Sequence, residues 1–201
     1  MSIIAAERRT RASSDRRERT RGGLLRAAFE LIGDERGLRV RIEEVCAVAR
    51  VSRGTFYNYF PSLEALFAEL WLQLVDEQSA AVSAATGGLV GATERTGAAI
   101  RCFLGRARLE PRWGWAMVNL ATTGMIFGVD AFAHTLEGVD QGIASGEFDI
   151  PDARAGRDII AGAVLVAMVT QLREATPETY PATIAHLALR SLGAASKQPR
   201  A

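Results

Sequence analysis

Residues 52–58 place six polar or small groups in quick succession: the Ser52 hydroxyl, the Arg53 guanidinium, the bare backbone of Gly54, the Thr55 hydroxyl, the Tyr57 phenol and the Asn58 amide. Each polar group can hydrogen-bond a base edge or a phosphate oxygen, and Gly54 lets another molecule come close. Arg39, Arg41 and Tyr59 add groups suited to phosphate oxygens. This is the chemistry of recognition, with no bond made or broken. A second cluster lies further along. Trp113, Trp115, Met117, Met125, Phe127 and Phe132 follow closely on Cys102 and Phe103. Such side chains can wall an adaptable apolar pocket in which Asn119, Thr122, Thr123 and His134 orient a ligand. The same residues also suit plain core packing, and both readings stay open. Asp130, His134 and Glu137 fall at helical spacing, which is either a weak metal face or a solvated one. No Walker loop, G-x-G-x-x-G, H-E-x-x-H or C-x-x-C is present, so the pattern predicts no catalytic, metal or cofactor site.

The first cluster needs a rigid helix to present it. Ser52 is a natural N-cap, and Val51, Phe56 and Phe60 fall at the spacing that holds a helix to its neighbours. Before it, Ile42, Val45, Cys46 and Ala49 predict a helix over Ile42–Ala49, with Glu43 and Glu44 at its positive end. Two short helices joined by a tight turn make a helix-turn-helix, which sets its second helix in the DNA major groove. The run Val51-Ser52-Arg53-Gly54-Thr55-Phe56-Tyr57-Asn58-Tyr59-Phe60-Pro61-Ser62, followed by Glu64-Ala65-Leu66, resembles the recognition-helix signature of the TetR family of bacterial transcriptional regulators. It covers roughly a quarter to a third of the chain, from helix 1 to the start of helix 4.

The resemblance implies an all-α protein. A three-helix DNA-binding head would be joined by helix 4 to a helical body that binds a ligand and dimerises. It further implies a homodimer on a palindromic double-stranded operator, a repressor released by a small apolar or aromatic effector. The DNA contacts it suggests are Arg39, Arg41, Ser52, Arg53, Gly54, Thr55, Tyr57, Asn58 and Tyr59. The ligand contacts are Phe103, Trp113, Met117, Asn119, Met125, Phe127 and His134. A regulator of this fold that lacks an effector or acts as an activator, and a helical enzyme or carrier, are the alternatives. Two positions depart from the family pattern. Arg50 stands where the turn usually has Gly, and a left-handed Arg costs roughly 1 kcal/mol or more. Leu63 stands where helix 4 usually opens with a phosphate-binding Lys.

Composition agrees with a two-ended molecule. The chain has 201 residues, 48% hydrophobic, with a formal charge of only +1. Residues 1–60 hold 13 arginines against 8 acidic residues, and the remainder is net −4. A basic head on an acidic body fits a DNA-facing end and a separate end for other work. Two cysteines in separate helices give no disulfide framework, as in a reducing cytoplasm. No apolar run reaches the roughly 18 residues of a membrane span, and no signal peptide is legible.

In order, residues 1–14 read as a flexible arm with Arg8, Arg9 and Arg11, fit either to a minor groove or to solvent. Residues 15–61 read as the head, with helix 1 capped at Asp15 and weakened by Gly22 and Gly23. Residues 62–193 read as the body: helix 4 from Ser62, a glycine-rich loop over 86–97, and helices near 93–108, 112–124, 126–145, 152–173 and 177–193. Residues 194–201 form a tail. The apolar helix across 159–169 must be covered all round, either within the monomer or by a second subunit together with Ile184, Leu187 and Leu192.

Overall fold

A computed structural model describes the main chain of residues 2–127 and 133–194, and the side chains of residues 15–37, 39–122 and 134–194. The described elements are α1 (Ser2–Ile32), a 3-10 turn (Gly37–Arg39), α2 (Ile42–Ala49), α3 (Arg53–Tyr57), α4 (Leu63–Thr86), α5 (Ala92–Leu109), α6 (Pro111–Phe127), α7 (Ala133–Ala144), α8 (Ala153–Arg173) and α9 (Tyr180–Ser191). The expected all-α architecture is the one observed, with no strand among the described residues.

Three boundaries differ from the sequence reading. Helix α1 is already helical at Ser2, so the expected helix start and cap at Asp15 are corrected. Ala5, Ala6, Glu7, Arg8, Arg9 and Ala12 are good helix formers, with neither Gly nor Pro among them. The expected loop over 86–97 shrinks to residues 87–91, because α5 starts at Ala92. Gly97 lies inside α5, where an added Cβ would come within 3.1 Å of Leu189 on α9. There glycine marks close helix packing and no chain break. Helix α6 runs to Phe127, past the break expected at residue 125; of the expected helix over 126–145, residues 133–144 form α7 and residues 128–132 lie outside the described residues.

Local chemistry sets the helix starts. The Ser52 hydroxyl accepts the Thr55 N–H at 3.0 Å, and Ser62 accepts that of Ala65 at 3.2 Å. Asp152 accepts the Arg154 N–H at 2.8 Å to open α8. The first residue of α5 follows Gly91, which has no side chain to cap with. Its cap comes from Glu147, whose carboxylate accepts the Ala92 and Thr93 N–H groups at 2.8 and 2.9 Å. Those two backbone bonds, Thr93 foremost, hold the Glu147 carboxyl down to about 2.

One apolar core runs from head to body. Leu24, Ala28 and Ile32 of α1 meet Val45, Phe56, Phe60 and Leu66. Leu70, Trp71 and Leu74 continue it along α4 to Leu104, Met117, Ile160 and Met168. A polar clamp reinforces the junction. Asn119 of α6 donates to the carbonyls of Ile32 and Asp34, each at 2.8 Å. The approach is so close that a Cβ on Gly37 would stand 2.6 Å from the Asn119 amide nitrogen. Nearby, Arg173 at the end of α8 pairs with Glu35 at 2.8 Å and lies over the Trp115 ring.

Helix α8 corrects one further expectation. Its length and mean hydropathy of 1.4 suffice for a membrane span, although only 28% of that apolar window is buried. Ile159 and Val166 on α8 and Leu187 on α9 remain exposed, at 46%, 67% and 53%. The monomer thus leaves an apolar face of α8 and α9 uncovered.

Candidate nucleic-acid interface and internal cavity

Helix α3 is held from behind and open in front. Phe56 and Phe60 are buried, while Arg53, Gly54, Tyr57 and Asn58 are exposed. The turn that aims this helix passes through Arg50 at φ 55° and ψ 45°, the left-handed conformation that its position required. Tyr57 stacks edge-on against Phe56 at 5.5 Å, which fixes the phenol outward. Arg53 reaches back to Glu43 at 3.0 Å. A hydrogen bond with Tyr57, and then the Glu43 charge, favour its protonated form. Both members of the Arg53–Glu43 pair are more than half exposed, so water screens the pair and it yields readily to a stronger partner. Ser52 and Thr55 are more committed: their hydroxyls bond each other at 2.9 Å while Ser52 caps the helix.

The flanking residues stand on the same end. Arg39 ends the 3-10 turn and Arg41 precedes α2, both exposed. The Arg41 N–H donates to Glu44 at 2.8 Å, and its side chain stays in solvent. Tyr59 is half-buried beneath Arg17, whose guanidinium lies 5.9 Å from the ring centre. Cys46 packs behind the helix, where burial pushes its thiol pKa up and leaves it inert. The sequence reading passed over Arg17 and Arg21, which α1 brings against Tyr59 and Phe60.

The body holds a cavity of about 310 Å³ between α4, α5, α6, α7 and α8. Of the residues proposed from the sequence as ligand contacts, Phe103, Met117 and His134 line it. Trp113 and Asn119 do not, and both are corrected. Trp113 is buried core, 6.0 Å from Phe103 and capped by Arg106 at 4.5 Å. Asn119 is occupied by the Ile32 and Asp34 carbonyls. The side chains of Met125 and Phe127 lie outside the described residues. The cavity's longest wall is α4, with Trp71, Val75, Ser79, Ser83 and Thr86, all absent from the sequence expectation. A signal existed: these positions recur at the spacing of one helical face, apolar at one end and hydroxylic at the other. Among the described residues no group of three His, Cys, Asp or Glu is placed to hold a metal ion.

Residues 24–70 match the family model of bacterial regulatory proteins of the tetR family. No curated protein matches the chain. Several solved structures share its fold. RolR in complex with resorcinol is 22% identical, with 90% of each chain covered and a TM-score of 0.69. A TetR-family transcriptional regulator from Agrobacterium tumefaciens is 19% identical, covering 88% of this chain and 98% of that one, at 0.65. FadR from Bacillus subtilis in complex with stearoyl-CoA is 17% identical, covering 85% and 96%, at 0.63. Residues 24–70 thus carry the N-terminal domain of the tetR family of bacterial regulatory proteins, and the whole chain shares its fold with solved structures of that family.

Proposed function

We propose that this chain is a sequence-specific DNA-binding transcriptional regulator, a repressor that binds a palindromic operator as a homodimer and is released by a small apolar ligand. The observation that carries the reading is α3: its inner face is anchored by Phe56 and Phe60, and its outer face offers Arg53, Gly54, Tyr57 and Asn58 to solvent. Residues 15–61 act as the reading head, with Arg39, Arg41 and Tyr59 toward phosphates. Ser52 and Thr55 contribute through their shared hydroxyl contact. The uncovered apolar face of α8 and α9 supports a two-fold partner. The cavity supports a ligand, as do the resorcinol and stearoyl-CoA held by relatives of the same fold.

Release follows from two shared helices. Helix α4 lines the cavity with Trp71 and Val75, and its first turn directly follows the recognition helix. On α6, Met117 lines the cavity two residues before Asn119, which holds the end of α1. A ligand that prefers a shifted α4 or α6 therefore turns the head. Tenfold weaker operator binding requires about 1.4 kcal/mol of coupling, and operator must weaken ligand binding equally. Binding-site selection from random duplexes should return inverted repeats with half-sites about one helical turn, or a multiple of it, apart. Recovery of single unpaired half-sites would overturn the dimeric reading. Absence of any selected sequence, beside turnover of a small molecule, would favour a helical enzyme instead.

A further inference from the structure

We infer that the body cavity takes a linear amphiphile with an anionic head at Arg95 and an apolar tail toward Trp71, Phe103, Met117 and Met168. This rests on the ligand-binding part of the function proposed above and specifies its chemistry. The cavity wall is polarised along its length. Helices α4 and α5 are joined by the short 87–91 connection and run antiparallel, so Thr86 faces Arg95 and Thr96 at one end while Trp71 faces Phe103 at the other. Helix α8 brings Met168 to the apolar end, because its last turn reaches Glu35 beside the head. Helix α7 closes the polar end: His134, Thr135 and Gly138 line it, and an added Cβ on Gly138 would lie 4.0 Å from the Thr96 hydroxyl.

Charge decides the head group. Among the described lining residues Arg95 is the one arginine or lysine, and no Asp or Glu lines the space. Its guanidinium donates to the Val90 carbonyl at 2.5 Å and the Gln141 amide oxygen at 3.1 Å, both neutral acceptors. Gln141 in turn reaches Glu137 only at 3.5 Å, so that carboxylate is one side chain removed. These bonds use two of the five guanidinium N–H donors, so Arg95 keeps donors to spare for a charge-assisted, bidentate contact with an anion. The nearby N-terminus of α5 is not the anion's seat, since Glu147 already accepts the Ala92 and Thr93 N–H groups. Length follows from helix rise. The eight steps of helix rise from Arg95 to Phe103 span about 12 Å, the extended reach of roughly ten carbons. A compact ring would leave one end of such a space empty.

The test uses the full chain without DNA, by calorimetric titration with decanoate, decyl phosphate, decan-1-ol and decyltrimethylammonium. The anions should bind at least about tenfold tighter than the alcohol, and the cation weakest. The better of the two anions identifies carboxylate or phosphate as the natural head. Arg95→Gln should abolish the anion's advantage and leave decan-1-ol unchanged, while Arg95→Lys restores part of it. Butanoate, with the same head and a short tail, should bind far more weakly than decanoate. Equal affinity for anion and alcohol overturns the inference, as does an Arg95→Gln variant, folded by its melting curve, that weakens both alike. The regulatory reading fails separately. If decanoate binds through Arg95 but leaves operator affinity unchanged at saturation, the cavity assignment stands and release by ligand falls.

Discussion

Arg50 carries the one left-handed non-glycine backbone among the described residues. The turn between α2 and α3 needs that conformation to aim the recognition helix, and an L side chain there costs about 1–2 kcal/mol. Arg50→Gly should therefore raise unfolding stability by about 1 kcal/mol in urea titration, part of the gain being offset by glycine's greater unfolded entropy. No gain would mean that the arginine side chain has a compensating contact. Three residues on, Arg53 is exposed and tethered by Glu43 and Tyr57. Under the proposed function, Arg53→Ala should weaken operator binding by about tenfold to a hundredfold and relax preference at one base pair. Unchanged affinity and preference in duplex competition would remove Arg53 from the reading face. The left-handed turn at Arg50 and the outward position of Arg53 were legible in the sequence, because turn and helix chemistry act over a few neighbours. Asn119 was not. An amide among aromatics reads as a ligand contact until its acceptors are known, and they lie 87 and 85 residues away.

The same limit governs the elements. Helices whose caps are local, α3 at Ser52 and α4 at Ser62, begin where the sequence places them. Helix α5 also lies within a residue of its expected bounds, but the loop before it was drawn too long, because the cap of α5, Glu147, comes from 55 residues downstream. The Glu147 carboxyl lies below the ordinary carboxylate range, so its bonds add stability above the unfolded value and lose it as pH falls toward about 2. Glu147→Gln should lower the melting temperature at neutral pH, and the gap from the native chain should close progressively in acid below about pH 4. A gap independent of pH would mean that shape, and not charge, does the capping. Helix α1 carries an opposite defect. Gly23 sits inside it, and a Cβ added there would meet only the far end of the Arg26 side chain, 3.9 Å away. Gly23→Ala should stabilise the chain by about 0.5–1 kcal/mol, read from the same urea titration. A loss would point to a neighbour that requires the bare backbone.

At the scale of the whole molecule, the sequence already pointed to α8 as too apolar for a solvent-facing helix. It did not say which part the monomer leaves bare. Packing divides the helix: Ile160, Ala167 and Met168 turn inward, while Ile159 and Val166 stay outside. In the proposed dimer that outer stripe meets its own copy, so a charge placed there is buried twice across the two-fold axis. Val166→Glu should weaken the dimer by several kcal/mol, at least about a hundredfold in dissociation constant, in sedimentation equilibrium. An unshifted dimer would place the seam elsewhere.

The Asn119 clamp has a consequence for how such a molecule can be rebuilt. It grips two main-chain carbonyls, at Ile32 and Asp34, and carbonyls are the same whatever side chains the head carries. That part of the joint is therefore indifferent to the operator being read, while the Arg173–Glu35 pair and the shared apolar core still depend on side chains. A foreign reading head should couple to this body as an interchangeable part, provided its backbone presents the same two oxygens, it keeps glycine at position 37, where a side chain would strike the amide, and it retains Glu35 and the apolar residues of α1 that meet α4. New specificities can then be fitted to an existing sensor without redesigning the connection between them.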